Sequence, residues 1–239
     1  MIVAVHQPHF LPWLGYLNKV LNADVFIWLD TVQYRKNYFQ NRTRIMSADG
    51  REQWLTLPVH AGSTARIDDV TIADARWRDR IAKSVRQCYA KSAHFGEVWP
   101  VFEEAMGGAS DRLTDVDYAL FIAALRLLGA GDRTIVRASE LGETSTDPTE
   151  RLVTLCERVG GARYIAGRGG RSYMNVDAFE RAGIKVIWQE FDVEQTAYAR
   201  SDGRRVSGYS VLDVLCHVGG TETHRLACHG WNPHPGLTE

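Results

Sequence analysis

The chain has 239 residues, 45% of them hydrophobic, and carries 28 Lys and Arg against 29 Asp and Glu, a formal net charge of −1. That length fits one domain, or one domain with a sizeable insertion, and the apolar share can fill a core. The balanced charge argues against broad nucleic-acid binding, which needs a basic footprint. No apolar run approaches the roughly 20 residues of a membrane span. The first residues form a strand with no basic region ahead of it and do not read as a signal peptide.

Val3 to Val5 is a short apolar run, as in a strand buried on both faces. Pro8 and Pro12 forbid helix through the loop that follows. Gly15 to Leu21 reads as a helix with Leu17, Val20 and Leu21 on one face, and Val25 to Leu29 as a second strand ending in Asp30. So short a connection implies a tight, right-handed, parallel β-α-β unit. Thr31 to Thr43 is polar and aperiodic. Trp54 to Val59 reads as a strand near a sheet edge because of Pro58, and Ile67 to Ile72 as another. Residues 76 to 129 show helical spacing throughout: Trp77, Ile81 and Val85, then Val98, Val101 and Phe102, then Leu113, Val116, Leu120, Ala124 and Leu127.

Thr134 to Arg137 is a strand. Asp147 caps a helix with Pro148 at its first position, and Gly160-Gly161 ends it. Arg163 to Ala166 is a strand, Asp177 to Ala182 a short helix stopped by Gly183, Lys185 to Gln189 a strand, and Ser210 to Val218 a final helix. From Thr221 onward the chain is polar, with Pro233 and Pro235, and is expected to pack poorly. The fold class is α/β: a mainly parallel, Rossmann-like sheet in a single domain spanning 1–239. A helical block of about 76–130 is inserted over one side of the site, and 221–239 form a polar tail.

Ligands of open α/β sheets sit outside the carboxyl ends of the strands. His6, Gln7, His9 and Asp30 are expected on that rim. The segment after Asp30 hangs over it with Gln33, Tyr34, Arg35, Lys36, Asn37, Tyr38, Gln40, Asn41, Arg42 and Arg44. Arg and Lys suit anionic oxygens, and Asn and Gln can fix an amide or hydroxyl. Gly167 to Tyr173 follows another strand end, where glycines permit close approach to a phosphate or carboxylate; a simple turn fits equally well. It is neither a Walker loop nor GxGxxG, and no GxSxG elbow is present.

His6 and His9 have no matching third ligand, so no metal is assigned. His6 fits a hydrogen-bond donor or general base. Cys88, Cys156, Cys216 and Cys228 lack CxxC spacing and read as reduced thiols of a cytoplasmic protein. Cys216 with a neighbouring histidine is a weaker option for a nucleophile pair. His217, His224, His229 and His234 read as part of the polar C-terminal region.

His6-Gln7-Pro8, Leu11-Pro12-Trp13-Leu14-Gly15-Tyr16, Ala23-Asp24-Val25-Phe26, Leu29-Asp30, Val32-Gln33-Tyr34, Lys36 and Asn41-Arg42 resemble the N-terminal signature of the WbqC-like family. The likeness continues through Trp54-Leu55-Thr56, Pro58-Val59, Ile67, Trp77, Tyr164 to Gly167 with Tyr173, and Ser210 to Leu215 with Asp213. It therefore spans nearly the whole chain. Two positions depart from the pattern: Cys216-His217 replaces Phe-Asn, and His9 stands where Asn is common. The layout also resembles, more distantly, nucleotidylyltransferase-type α/β enzymes, but their HxGH pair is absent: Phe10-Leu11-Pro12-Trp13 stands there.

The WbqC-like resemblance implies a biosynthetic tailoring enzyme of polysaccharide O-antigen or natural-product assembly. The implied reaction is acyl or aminoacyl transfer, such as glycyl transfer, to the amine of an amino sugar or other precursor. His6, Asp30 and Lys36 are the catalytic candidates, with His6 as base, Asp30 orienting the amine, and Lys36 with Arg42 holding an anionic group. Gln7, His9, Gln33, Tyr34, Asn41, Arg42, Gly167, Tyr173 and Asp213 are the substrate-binding candidates. The donor would be an activated thioester, free or on a carrier protein. A nucleotide-dependent ligase or nucleotidylyltransferase using ATP is the alternative enzyme, and a small-metabolite binding protein the non-catalytic one.

Overall fold

In the computed structural model, which describes residues 1–229 and Trp231, the chain begins with β1 (Ile2–His6), α1 (Leu14–Asn22) and β2 (Val25–Trp28). Two antiparallel pairs follow, β3 with β4 (Arg42–Met46, Glu52–Thr56) and β5 with β6 (Val59–His60, Thr71–Ile72). Next come α2 (Trp77–Tyr89), α3 (Phe95–Gly108) and α4 (Leu113–Leu127). The chain continues through β7 (Thr134–Arg137), α5 (Pro148–Arg158), β8 (Arg163–Ala166), α6 (Val176–Arg181) and β9 (Lys185–Trp188). A small hairpin, β10 with β11 (Tyr198–Ala199, Arg205–Val206), precedes α7 (Val211–His229).

The central sheet is five-stranded and parallel throughout, in the order β7-β2-β1-β8-β9. The chain steps from β1 through β2 out to β7, then returns to the other side of β1 for β8 and β9. The reversal between β1 and β8 is a topological switch point, where sheets of this kind leave a crevice beyond the strand ends.

The two-residue period of the strands sorts the core. Ile2 and Ala4, with Phe26, Trp28 and Ile165, face the larger core built with α1, α2, α3, α4 and α7. Val3, Val5, Val25, Ile27, Tyr164 and Ala166 face the other, against Leu152, Leu155 and Phe179 of α5 and α6. Continuing the first series gives His6, which puts its ring on the α1 side. The cap of α5 is as the sequence implies: Asp147 Oδ1 accepts from the Thr149 and Glu150 amides at 2.8 and 2.9 Å. No helix among the described residues is long and apolar enough to cross a membrane.

The structure departs from the sequence reading at four places. Pro58, which has no amide hydrogen to donate, splits the expected 54–59 strand into β4 and β5, both paired away from the central sheet. The expected 67–72 strand opens as a 3-10 turn at Ile67–Asp69, with Ile67 buried, and only Thr71–Ile72 is extended. The helical block lies over one side of the sheet, as expected, but none of its residues lines the cavity described below. Its apolar faces are taken up by one another, by α7 and by the sheet, where Phe121 packs on Phe26 and Trp28.

The fourth departure is the last helix, which does not stop at Val218 and turn into a polar tail. It kinks at Gly219 (φ +75°), a conformation that favours glycine, and continues to His229 with Thr223, Leu226 and Ala227 buried. A side chain at Gly220 would collide with the Leu127 carbonyl at 1.9 Å. The rest of the expected tail, with Pro233, His234 and Pro235, lies outside the described residues.

Candidate functional site

A cavity of about 510 Å³ opens at the switch point, beyond the carboxyl ends of β1 and β8. Three stretches make its floor: His6, then Tyr16 and Lys19 of α1, then Gly167 to Gly169 after β8. Tyr38, Phe39, Thr43 and Arg44 line one part of the wall, continuous with Tyr209 and Ser210, whose amide donates to Arg44 O at 3.1 Å, and Gln189 and Phe191 line another. Trp13, edge-on to Phe191 at 5.5 Å, closes a corner.

The proline-bearing loop between β1 and α1 cannot satisfy its own backbone, so neighbouring segments do. Thr43 and Ser210 hydroxyls both donate to the Leu11 carbonyl, at 3.1 and 3.0 Å. The Val211 amide donates to Pro12 O at 2.7 Å and the Phe10 amide to Phe39 O at 2.9 Å. Leu11 is held at φ +47°, a strained conformation for a branched side chain, of the kind that gathers at functional sites. The loop is thereby fixed before any ligand arrives.

His6 Nδ1 donates to the Gln7 carbonyl at 3.0 Å. In the neutral ring this leaves Nε2 as a free lone pair. The ring meets His9 and Tyr16 edge-on, with centroids 4.7 and 4.6 Å away. Burial, the Lys19 ammonium and then His9 hold His6 well below the usual histidine range. His9 is pushed down to about 3 by burial and then by Lys19, and neither of its nitrogens has a partner among the described residues. Tyr16 donates its hydroxyl to the Gln7 carbonyl at 3.1 Å, and burial followed by the Asp117 carboxylate pushes the phenol well up.

Lys19 is the group that sequence reasoning missed. It is 5% exposed, and burial alone lowers its ammonium to about 8. Among the described residues no Asp or Glu lines the cavity. Gln189 donates from Nε2 to Gly15 O and Asn18 Oδ1, both at 2.8 Å, which locks the end of β9 onto α1 and so fixes where Lys19 stands. In the sequence, a lysine between Leu17 and Val20 looks like the solvent side of an amphipathic helix. The only hint is its i, i+3 spacing from Tyr16, a residue of the signature block.

Of the residues nominated from sequence, His6, His9, Tyr38, Arg44 and Gly167 line the cavity. Gln7 stands behind it, its carbonyl taking the His6 and Tyr16 hydrogen bonds and its side chain accepting from Gln40 at 2.9 Å. The others are not brought there. Asp30 is buried and accepts from the Ser139 amide at 3.0 Å and hydroxyl at 2.7 Å, tying the end of β2 to the turn after β7; its carboxyl is raised, chiefly by burial. Lys36 is exposed, and Gln33 is exposed and donates to Ser63 O at 2.9 Å.

Tyr34 is half-buried and packs against both cores. Asn41 donates to Leu57 O at 2.8 Å, and Arg42 stacks on the Trp54 ring at 4.2 Å. Tyr173 is 55% exposed. Asp213 is fully buried and accepts from the Tyr89 hydroxyl at 2.7 Å, from Tyr198 and from Arg200. The overhanging segment does contribute, but through Tyr38, Phe39, Thr43 and Arg44.

Cys216 offers no nucleophile pair: it is buried outside the cavity and burial pushes its thiol up, while His217 Nδ1 accepts from the Ser201 amide at 3.2 Å. Among the described residues no group of three or more His, Cys, Asp or Glu side chains is arranged to hold a metal ion.

Strand order and cavity together define an α/β protein with a pocket at the switch point of its sheet, floored by histidine and lysine. A sequence profile of the WbqC-like protein family matches residues 7–225, and the chain belongs to that family. It is also similar to Rv1507c of Mycobacterium tuberculosis (strain ATCC 25618 / H37Rv), described as an uncharacterized protein. The two are 30% identical over 223 residues, covering 91% of this chain and 94% of the other. No solved structure matches.

Proposed function

We propose that this cavity transfers an acyl or aminoacyl group from an activated donor to the amine of a small molecule, forming an amide. The observation that carries the reading is His6. Its ring is neutral at working pH, oriented by the Gln7 carbonyl, and presents an unprotonated Nε2 in a largely buried site. Such a ring stands unprotonated and oriented to accept the proton of an attacking amine, although burial and Lys19 make it a weaker base than a free imidazole.

In this reading the amine nitrogen bonds to the acyl carbon. His6 accepts the proton released from nitrogen and delivers it to the departing thiolate of a thioester donor, free or on a carrier protein. The thioester supplies the driving force. His6 stays as the base and Lys19 takes the place expected of Lys36, because Lys36 is exposed, while Asp30 is committed to Ser139. Amino sugars and other amine-bearing biosynthetic precursors are the acceptors that family membership favours.

The purified protein incubated with a panel of such amines and of acyl- and aminoacyl-thioesters should yield the amide, detected by mass. Failure across the panel, with saturable binding of the same compounds, would identify a binding protein instead. A second reading, activation of the acid by ATP in the same cavity, is favoured by the strand order, since nucleotides bind at such switch points. Pyrophosphate or ADP release on adding ATP and free acid would separate it from thioester use.

A further inference from the structure

Lys19 presents an energetic problem that the protein itself does not resolve. A buried ammonium is stable when paired, and an unpaired one is costly. Among the described residues no ion pair involves Lys19 and no carboxylate lines the cavity. The other basic side chains there have protein partners: Arg44 donates to Gly208 O at 3.0 Å and lies 3.6 Å from Glu52, and Arg168 donates to Phe191 O at 3.3 Å.

Opposite Lys19 stands Gly167, whose backbone (φ −77°, ψ 161°) is open to any residue. The glycine is there for space, not for conformation: a Cβ would come within 2.8 Å of Lys19 Nζ. Aromatic rings, Tyr38, Phe39, Phe191 and Tyr209 among them, make up much of the remaining wall.

We propose that Lys19, seated in the notch left by Gly167, is an oxyanion subsite that binds the carboxylate or phosphate of a small, ring-bearing ligand whose planar part lies against the aromatic walls. The ligand supplies the counter-charge the protein withholds, and the enclosed volume suits a molecule of ordinary metabolite size. The inference deepens the proposed transfer reaction by naming a group on its donor or acceptor, and rests on that reading only for this assignment. Anion binding is measured without turnover, so either idea can fail alone.

The test is calorimetric titration of the full chain with four probes: adenosine 5′-monophosphate, benzoate, inorganic phosphate, and adenosine as the uncharged control. At least one ring-bearing anion should bind, and adenosine should bind at least about tenfold more weakly than the monophosphate if phosphate is the group recognised. Binding of the monophosphate alone assigns a phosphate ligand, and binding of benzoate alone a carboxylate. Lys19→Gln should weaken the bound probe by about tenfold or more. Gly167→Ala, which moves the amine while keeping its charge, should weaken it by a smaller factor. Thermal unfolding of each variant checks that it is folded. No binding by either ring-bearing anion, or equal affinity in wild type and both folded variants, overturns the proposal.

Discussion

Lys19 and Gly167 meet in the crevice beyond the carboxyl ends of β1 and β8, so closely that a methyl group on the glycine would stand 2.8 Å from the lysine amine. The contact joins the first helix to the turn after the fourth central strand, and it lies at the switch point of the sheet. Because Gly167 has ordinary extended dihedrals, Gly167→Ala should leave stability unchanged or raise it by up to about 1 kcal/mol through the unfolded chain. A Tm that falls by several degrees would show that the glycine serves the fold instead of the lysine.

Lys19 also makes a pH prediction. Its ammonium titrates near 8 in the folded chain against an ordinary 10.5, so between those values the unfolded chain binds the extra proton and stability rises with pH, by up to about 3 kcal/mol. Below about pH 8 the full penalty applies. Lys19→Met should therefore be more stable than wild type at pH 7 by about 1–3 kcal/mol, with the gap closing toward pH 10.5. Urea unfolding at both pH values measures it; a destabilised Lys19→Met at pH 7 would mean the ammonium has a protein partner.

His9 predicts the opposite limb. Its folded value of about 3 lies below the ordinary 6.5, so as pH falls through that window the unfolded chain takes up the proton first and stability is lost, by up to several kcal/mol. His9→Phe keeps a ring beside Phe39 and Tyr16 and removes the titration. Its urea-unfolding stability should decline less steeply between about pH 6.5 and 4 than that of wild type.

Two acids that the sequence nominates for the site should behave as structural residues. Asp213→Asn leaves the buried Arg200 without its carboxylate and should cost about 3–5 kcal/mol in urea unfolding. Asp30→Asn weakens the tie to Ser139 and should cost about 1–2 kcal/mol, with ligand affinity retained in the folded variant. Lost affinity at full stability would return Asp30 to the site.

The contrast between these acids and Lys19 shows what the sequence could tell. The β1-α1-β2 unit is legible because apolar runs and turn residues alternate at unambiguous spacing, and period two alone puts His6 on the α1 side. Strands β7 and β8 and the Asp147 cap are legible for the same local reasons. Which polar residues share a cavity is a long-range matter. Asp30 meets Ser139 and Asp213 meets Tyr89 only after the sheet and helices assemble. Lys19 reads as solvent-facing until Gln189, from the other end of the sheet, bonds to the same helix. Which side chains of the segment after Asp30 turn toward the cavity depends on β3 pairing with β4.

His6 is proposed as the base of an amide-forming reaction in this cavity. The most direct measurement is the rate of amide formation by His6→Ala relative to wild type, at saturating amine and donor, with folding verified by thermal unfolding. A drop of about 10²-fold or more is the predicted result; a folded His6→Ala that forms the amide at the wild-type rate would contradict the account.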